Sequence, residues 1–357
     1  MEHLRADLAA LTPYTVEAVD WQGEPLDKLD ANEADGDVPP WFREKLAALA
    51  QNLPQHRYPD GEYVALKTAI AAYVQTWSGE AIAPNQVALG NGSDELIRSV
   101  LIAAALHRGG ILVANPTFSM YGILAKSLGI PVWAIARHES DFAMDLQAAQ
   151  ELMARETVAA VFVVHPNSPT GNLLTAAELD WLRSLPPTVT VVVDEAYGEF
   201  ADTTVVPELA AHPNWIVLRT FSKALRLAAC RVGYAIAPPA TVNVLEALRL
   251  PYALPVFSAE AARLALAHRE TLLANLPSIY QERTRLTQTL QGWGWRVWPS
   301  AGNFVYARSG RDRAVFTELA ARGTLIRHTG GGLRITVGEK PTGDRLLARL
   351  QECGWGI

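Results

Sequence analysis

Val191-Val192-Val193-Asp194-Glu195-Ala196-Tyr197 is an apolar run that ends on a carboxylate. Such a run, apolar at every position, fits a strand inside a sheet covered by helices on both faces, and a buried acid at its end demands a cationic partner. The same pattern extends in both directions. Gln86–Leu89, Ile111–Ala114, Pro131–Ala136, Val158–Val164, Val189–Val193, Trp215–Leu218 and Gly233–Ala237 are predicted strands, with the amphipathic segments Asp94–Leu106 and Ala176–Leu185 between them. This βαβ alternation predicts an α/β domain with a mostly parallel, helix-covered sheet. After Pro255 the pattern changes to longer helical stretches, Ser258–Leu276 and Ile279–Gly292, then to short strands around Asn303–Ala307 and Leu333–Val337. A smaller α+β domain is expected there. The expected division is an N-terminal arm over 1–28, a large domain over 29–250 and a small C-terminal domain over 251–357.

Composition narrows the function. With 357 residues, 49% hydrophobic and 19% charged, the chain can bury a large core. A net charge of −6, with Lys and Arg scattered, gives no basic footprint for nucleic acid or an anionic membrane. Small molecules are the expected partners. Cys230 and Cys353 stand far apart without metal-ligand spacing, which argues against a disulfide framework or a structural zinc and suits a reducing cytoplasm. The start, MEHLRADLAALTPY, carries charges where a secretory signal needs an apolar core, and the longest apolar runs are too short to span a bilayer.

Ligands of open α/β sheets sit at the carboxyl ends of strands, so the polar residues that follow apolar runs are the candidate site. Asp194 is one; a lone instance would be read as a helix cap. Leu218-Arg219-Thr220-Phe221-Ser222-Lys223 runs from a strand into two hydroxyls and a lysine. A partly desolvated lysine amine at such an edge is suited to form an imine. Arg231 lies in the apolar stretch Ala228-Ala229-Cys230-Arg231-Val232-Gly233, where it should meet an anion. Gly90-Asn91-Gly92-Ser93-Asp94-Glu95 is a glycine turn opening a helix, a geometry that binds phosphate. It lacks the third glycine of the dinucleotide fingerprint, which argues against a nicotinamide dehydrogenase. His165-Pro166-Asn167-Ser168-Pro169-Thr170-Gly171-Asn172 is a rigid turn that presents Asn167 and Ser168. Each segment has a bland structural reading on its own. Together they supply a lysine, an acid, a phosphate cup and an arginine, which is what pyridoxal phosphate requires.

These residues resemble the fold-type I aminotransferases and, within them, the histidinol-phosphate aminotransferase family, along almost the whole chain. The resemblance implies that Lys223 carries pyridoxal 5'-phosphate as an imine, that Asp194 pairs with the ring nitrogen and that Tyr197 hydrogen-bonds the phenolic oxygen. It assigns the phosphate to Arg231, Ser222 and Thr220, with the backbone at Gly92, Ser93 and Asp94, and puts Phe118 against the pyridine ring. The family commonly has Asn before Pro-Thr-Gly, where this chain has Ser168 preceded by Asn167, so the hydrogen bond to the ring oxygen falls to one or the other. Arg57-Tyr58-Pro59-Asp60 is similar to a family segment whose tyrosine reaches into the neighbouring subunit's site and touches the cofactor phosphate, which implies a homodimer. Leu11-Thr12-Pro13-Tyr14, Asp30-Ala31-Asn32-Glu33 and Gly332-Leu333-Arg334-Ile335-Thr336-Val337-Gly338 resemble further family elements. They imply substrate contacts at Tyr14, Asn32 and Arg334, with Arg327, Asn303 and Tyr58 contributing. The implied reaction exchanges an amino group between histidinol phosphate and 2-oxoglutarate. Threonine-phosphate decarboxylases and aromatic-amino-acid aminotransferases share the lysine, the acid and the arginine and are the rival readings. A non-catalytic descendant of the fold would be expected to have lost Lys223 or Asp194, and both are present.

Overall fold

The computed structural model describes residues 5, 7, 8, 21, 23 and 25–356. Its strands, in chain order, are β1 (Asp27–Lys28), β2 (Val87–Asn91), β3 (Gly110–Asn115), β4 (Val132–Ala136), β5 (Val158–Val164), β6 (Thr190–Asp194), β7 (Trp215–Thr220), β8 (Val232–Ile236), β9 (Arg296–Trp298), β10 (Phe304–Arg308), β11 (Thr324–Leu325), β12 (Arg327–Thr329) and β13 (Gly332–Thr336).

Seven of these strands form one sheet in the order β2-β8-β7-β6-β5-β3-β4. The four pairings among β3 to β7 are parallel, while β8 runs antiparallel to both β7 and β2. All seven residues of β5 are buried. Side chains alternate across a strand, so Val161, Val163, Val191 and Val193 enter the core on one face, and Phe162, Val164 and Val192 enter the core on the other. Both faces are covered, and this is why the strands read as unbroken apolar runs. The chain has the mostly parallel α/β architecture expected.

A second sheet, β12-β13-β10-β9, is antiparallel throughout. It shares a core with the helices Leu276–Gly292, Asp312–Ala320 and Lys340–Glu352. Residues 27–28, the end of the expected arm, and 29–36, the expected start of the large domain, bond to this C-terminal region as well as to the large sheet's loops. β1 pairs in parallel with β11, the Thr336 amide donates to the Leu29 carbonyl at 3.0 Å, and buried Asp27 accepts from Arg345 and Arg349. The helix predicted over 258–276 is two helices, Val256–Ala267 and Arg269–Leu272, divided by non-helical His268. Ala259, Ala261, Ala262 and Ala265 of the first pack into the core of the large sheet. Among the described residues no helix is long and apolar enough to cross a membrane.

Candidate active site

The carboxyl ends of β5, β6 and β7 open on one edge of the large sheet. Because β8 runs the other way, its amino end lies on that same edge, with Asn91 opposite Val232 in the ladder. Topology therefore gathers residues from Ser93 to Arg231 around a cavity of about 120 Å³, far above the roughly 10–15 Å³ that one water needs. Its walls are Ser93, Asp94, Phe118, Val164, Ser168, Asp194, Ala196, Tyr197, Thr220, Ser222, Lys223 and Arg231.

At the floor, Asp194 is 3% exposed. Its Oδ1 accepts from the Ala196 amide at 3.0 Å and its Oδ2 from the Tyr121 hydroxyl at 2.7 Å. Burial pushes this carboxyl up to about 6, opposed by those two hydrogen bonds and helped by the charges of Asp94 and Glu195. The backbone that carries Asp194 and Tyr197 is anchored by an ion cluster behind it. Buried Arg219 donates to Glu195 at 3.0 Å and to Glu199 at 2.8 Å, and its guanidinium stacks 4.1 Å from the Trp77 ring centroid. Gly198 is required there: a Cβ would lie 1.8 Å from Arg219 Nη1.

Another part of the wall is a cup of donors. Arg231 extends to the Ser222 Oγ and Asp94 Oδ2, both at 3.4 Å, and the Thr220 hydroxyl donates to Ser222 at 2.9 Å. Gly92 caps the helix Ser93–Val100 at φ 75°, and its amide donates to the Arg231 carbonyl at 2.8 Å. A Cβ on Gly92 would stand 2.4 Å from Arg231 Nη2, and one on Gly233 would stand 2.4 Å from the Ser93 nitrogen. Only glycine lets the helix end, its unsatisfied amides and the guanidinium share this space.

The Lys223 amine, in the same wall, donates to the Ala31 carbonyl at 2.8 Å and lies 5.9 Å from the Tyr197 ring centroid. Burial raises the Tyr197 phenol, but Lys223, Arg334 and hydrogen bonds from Asn32 and Ser168 outweigh it and leave the phenol below its ordinary value. Asn32, fully buried at φ 53°, is held from three directions. It donates to Tyr197 Oη at 2.9 Å, exchanges hydrogen bonds with Thr336, and accepts on its carbonyl from Asn303 at 3.1 Å. Arg334 donates to Ser168 at 2.9 Å and to the Asp30 carbonyl at 2.5 Å. Arg327 is its direct partner across the β12–β13 ladder.

The two turn residues separate clearly. Ser168 lines the cavity, whereas the Asn167 side chain, also buried, is engaged by its surroundings. Its amide donates to the Pro116 carbonyl and Thr170, and its oxygen accepts from Thr117 at 3.0 Å. His165 accepts the Leu174 amide at Nδ1 and is kept neutral, burial and then Arg219 holding it down at about 4. Tyr58 is outside the cavity of its own chain, 79% exposed and stacked on Tyr252 at 4.5 Å. Tyr14 lies outside the described residues. Sequence reading passed over Tyr121, Ala196, Val164 and the Arg219 cluster; an arginine beside a Ser-Lys pair and two glutamates near Asp194 were the available signals for the last.

Residues 25–350 match the family Aminotransferase class I and II. Similar full-length proteins include a histidinol-phosphate aminotransferase of a Synechococcus strain, 51% identical over 99% of this chain and 98% of that one, and one of Thermosynechococcus vestitus, 48% identical over 98% and 96%. Among solved structures, histidinol-phosphate aminotransferase from Sinorhizobium meliloti, in complex with pyridoxal-5'-phosphate, superposes with a TM-score of 0.86 over 99% of this chain and 97% of that one at 24% identity. L-Threonine-O-3-phosphate decarboxylase from Porphyromonas gingivalis has the same fold, with a TM-score of 0.74 at 18% identity over 92% and 99%. The chain belongs to the class I and II aminotransferase family and, within it, to the histidinol-phosphate aminotransferases.

Proposed function

We propose that this chain is a pyridoxal-5'-phosphate-dependent transaminase of histidine biosynthesis, exchanging the amino group between L-histidinol phosphate and 2-oxoglutarate to give imidazole-acetol phosphate and glutamate. One observation carries the reading: a single cavity is lined by the buried Asp194 carboxylate, by Lys223 and by a cup of donors from Thr220, Ser222 and Arg231. A Gly92–Arg231 approach too close for a Cβ and the nearby Ser222 and Thr220 hydroxyls suit a phosphate group. The substrate assignment is supported by the names of relatives about half identical over their full length.

When bound, the cofactor supplies a conjugated ring that takes up the electrons released as a Cα–H bond breaks. Lys223 would hold it covalently, and the free Lys223 amine would take the proton from the substrate Cα as general base. Asp194 keeps the ring nitrogen charged. Tyr197, with Ser168 rather than Asn167, hydrogen-bonds the ring oxygen. Arg231, Ser222, Thr220 and the backbone from Gly92 to Asp94 would hold the phosphate, and Phe118 would lie against the ring. Asn32, Asn303, Arg327 and Arg334 meet the substrate. Arg327 and Arg334 face each other in one ladder, and their planar guanidinium groups suit carboxylate and phosphate oxygens. The cavity then accepts a dicarboxylate and a phosphomonoester in turn.

The working unit is a homodimer in which the exposed Tyr58 reaches the site of a second copy; its stacking partner Tyr252, 45% exposed, supports that contact surface. Residues 27–36 and 276–356 form the smaller lobe of each subunit. Two free cysteines support residence in a reducing cytoplasm. The test is the visible spectrum of the loaded protein with glutamate and with histidinol phosphate added separately. Loss of the cofactor band with each amine is expected. A band that glutamate removes and histidinol phosphate leaves unchanged overturns the substrate assignment.

A further inference from the structure

Tyr121 follows β3 by a short loop, on the helix Met120–Ser127, and has no exposed surface. Its ring is fixed edge-on to Phe118 at 5.6 Å and tilted against Phe162 at 5.0 Å, so the hydroxyl has one direction available. A phenylalanine would fill that space equally well. The hydroxyl brings a polar atom into an apolar cluster, at a cost unless it is bonded, and its partner is Asp194 Oδ2 at 2.7 Å. The Ala196 amide occupies Oδ1. The carboxylate is thus gripped on both oxygens, leaving a remaining lone pair of either to face the cavity. Burial and then the neighbouring Asp194 hold the phenol well above its ordinary range, so it stays a donor.

We infer that Tyr121 is a positioning residue for the transamination: its hydroxyl fixes the Asp194 carboxylate in orientation and keeps it ionised opposite the cofactor's ring nitrogen. This rests on the cofactor reading above. A neutral donor on one oxygen lowers the basicity of the carboxylate. The proton shared between Asp194 and the ring nitrogen then resides on nitrogen, where the charge draws electrons from the reacting bond. Through its ring, the same residue also braces Phe118.

The experiment is Tyr121→Phe, which keeps the ring. In holoprotein loaded with pyridoxal phosphate carrying 15N at the ring nitrogen, the resonance is expected to move from the pyridinium position toward neutral pyridine. The kcat should fall about ten-fold while KM for histidinol phosphate changes less than about two-fold. In apoprotein, the infrared carboxyl band absent from Asp194→Asn should report about a ten-fold higher proton affinity. A wild-type resonance together with an unchanged Asp194 titration overturns the inference even if activity falls, because packing alone would then explain the loss. Should Tyr121→Phe fail to fold, 3-fluorotyrosine at position 121, a stronger donor, must lower the Asp194 proton affinity; an unchanged value overturns the inference. Wild-type protein that takes up no pyridoxal phosphate overturns the cofactor reading instead, and the apoprotein titration still decides the role of Tyr121.

Discussion

Arg219 and Arg231 flank the connection between β7 and β8 at the same edge of the sheet, yet they belong to opposite kinds of region. Arg219 is 2% exposed, bonded to two buried carboxylates and stacked on Trp77. The Arg231 side chain is 45% exposed, and its contact with Asp94 is long, at 3.4 Å. Charge behind the site is saturated and serves the backbone; charge at the cup is open to solvent and available to an incoming anion. Asp194 is buried like Arg219, with one hydrogen bond on each oxygen, and the cup around Arg231 follows the second pattern.

Removing charge from each region should therefore fail in different ways. Arg219→Met strands Glu195 and Glu199 in the core, and loss of one partner of a buried ion cluster costs about 3–5 kcal/mol. Urea denaturation should register that loss; a midpoint close to wild type would mean the cluster does not anchor the floor. Asp194→Asn removes the anion at the ring nitrogen. A fall in kcat of about 10²–10³-fold is expected, comparable to losing one preorganised electrostatic group, and steady-state assays that find kcat near wild type would remove Asp194 from the chemistry. Arg231→Gln should leave stability within about 0.5 kcal/mol and weaken cofactor binding about ten-fold in titrations of apoprotein. That deficit should shrink as salt rises, because the site is partly solvated. A salt-independent deficit would place Arg231 with Arg219.

The smallest effect is a pH dependence. Asp194 titrates at about 6 in the folded chain against 3.8 for an ordinary aspartate. Between these values the folded state holds a proton that the unfolded state has released, so through this group stability falls as pH rises from about 4 to 6 and is level above. Apoprotein carrying Asp194→Asn lacks this dependence. Its stability advantage over wild type should therefore be greatest above pH 6 and close toward pH 4, as read by denaturation across that range; a gap that does not vary with pH would show that Asp194 is ionised at all these values.

The large sheet was legible because both faces of its inner strands are covered, which turns β5, β6 and β7 into apolar runs with polar ends at the cavity. Asp194, Lys223 and Arg231 could be found on that basis, and the glycine turn at Gly92 by its backbone requirement. What stayed hidden depends on partners distant in the chain. Nothing near Tyr121 reveals that its hydroxyl meets Asp194, nor does Asn32 announce Thr336 and Asn303. Residues 27–36 precede the large sheet in sequence but are tied to C-terminal residues, because β11 pairs with β1 in a two-stranded sheet and Arg345 and Arg349 pair with Asp27. Asn167 and Ser168 were equivalent on paper; hydrogen bonds to Thr117, Pro116 and Thr170 separate them.

The most direct test of the central claim is borohydride reduction of the purified protein loaded with pyridoxal phosphate, followed by peptide mass spectrometry. The account predicts one phosphopyridoxyl group per chain, on the peptide bearing Lys223, and none on Lys223→Ala. A label on another lysine, or no label at all, would contradict it.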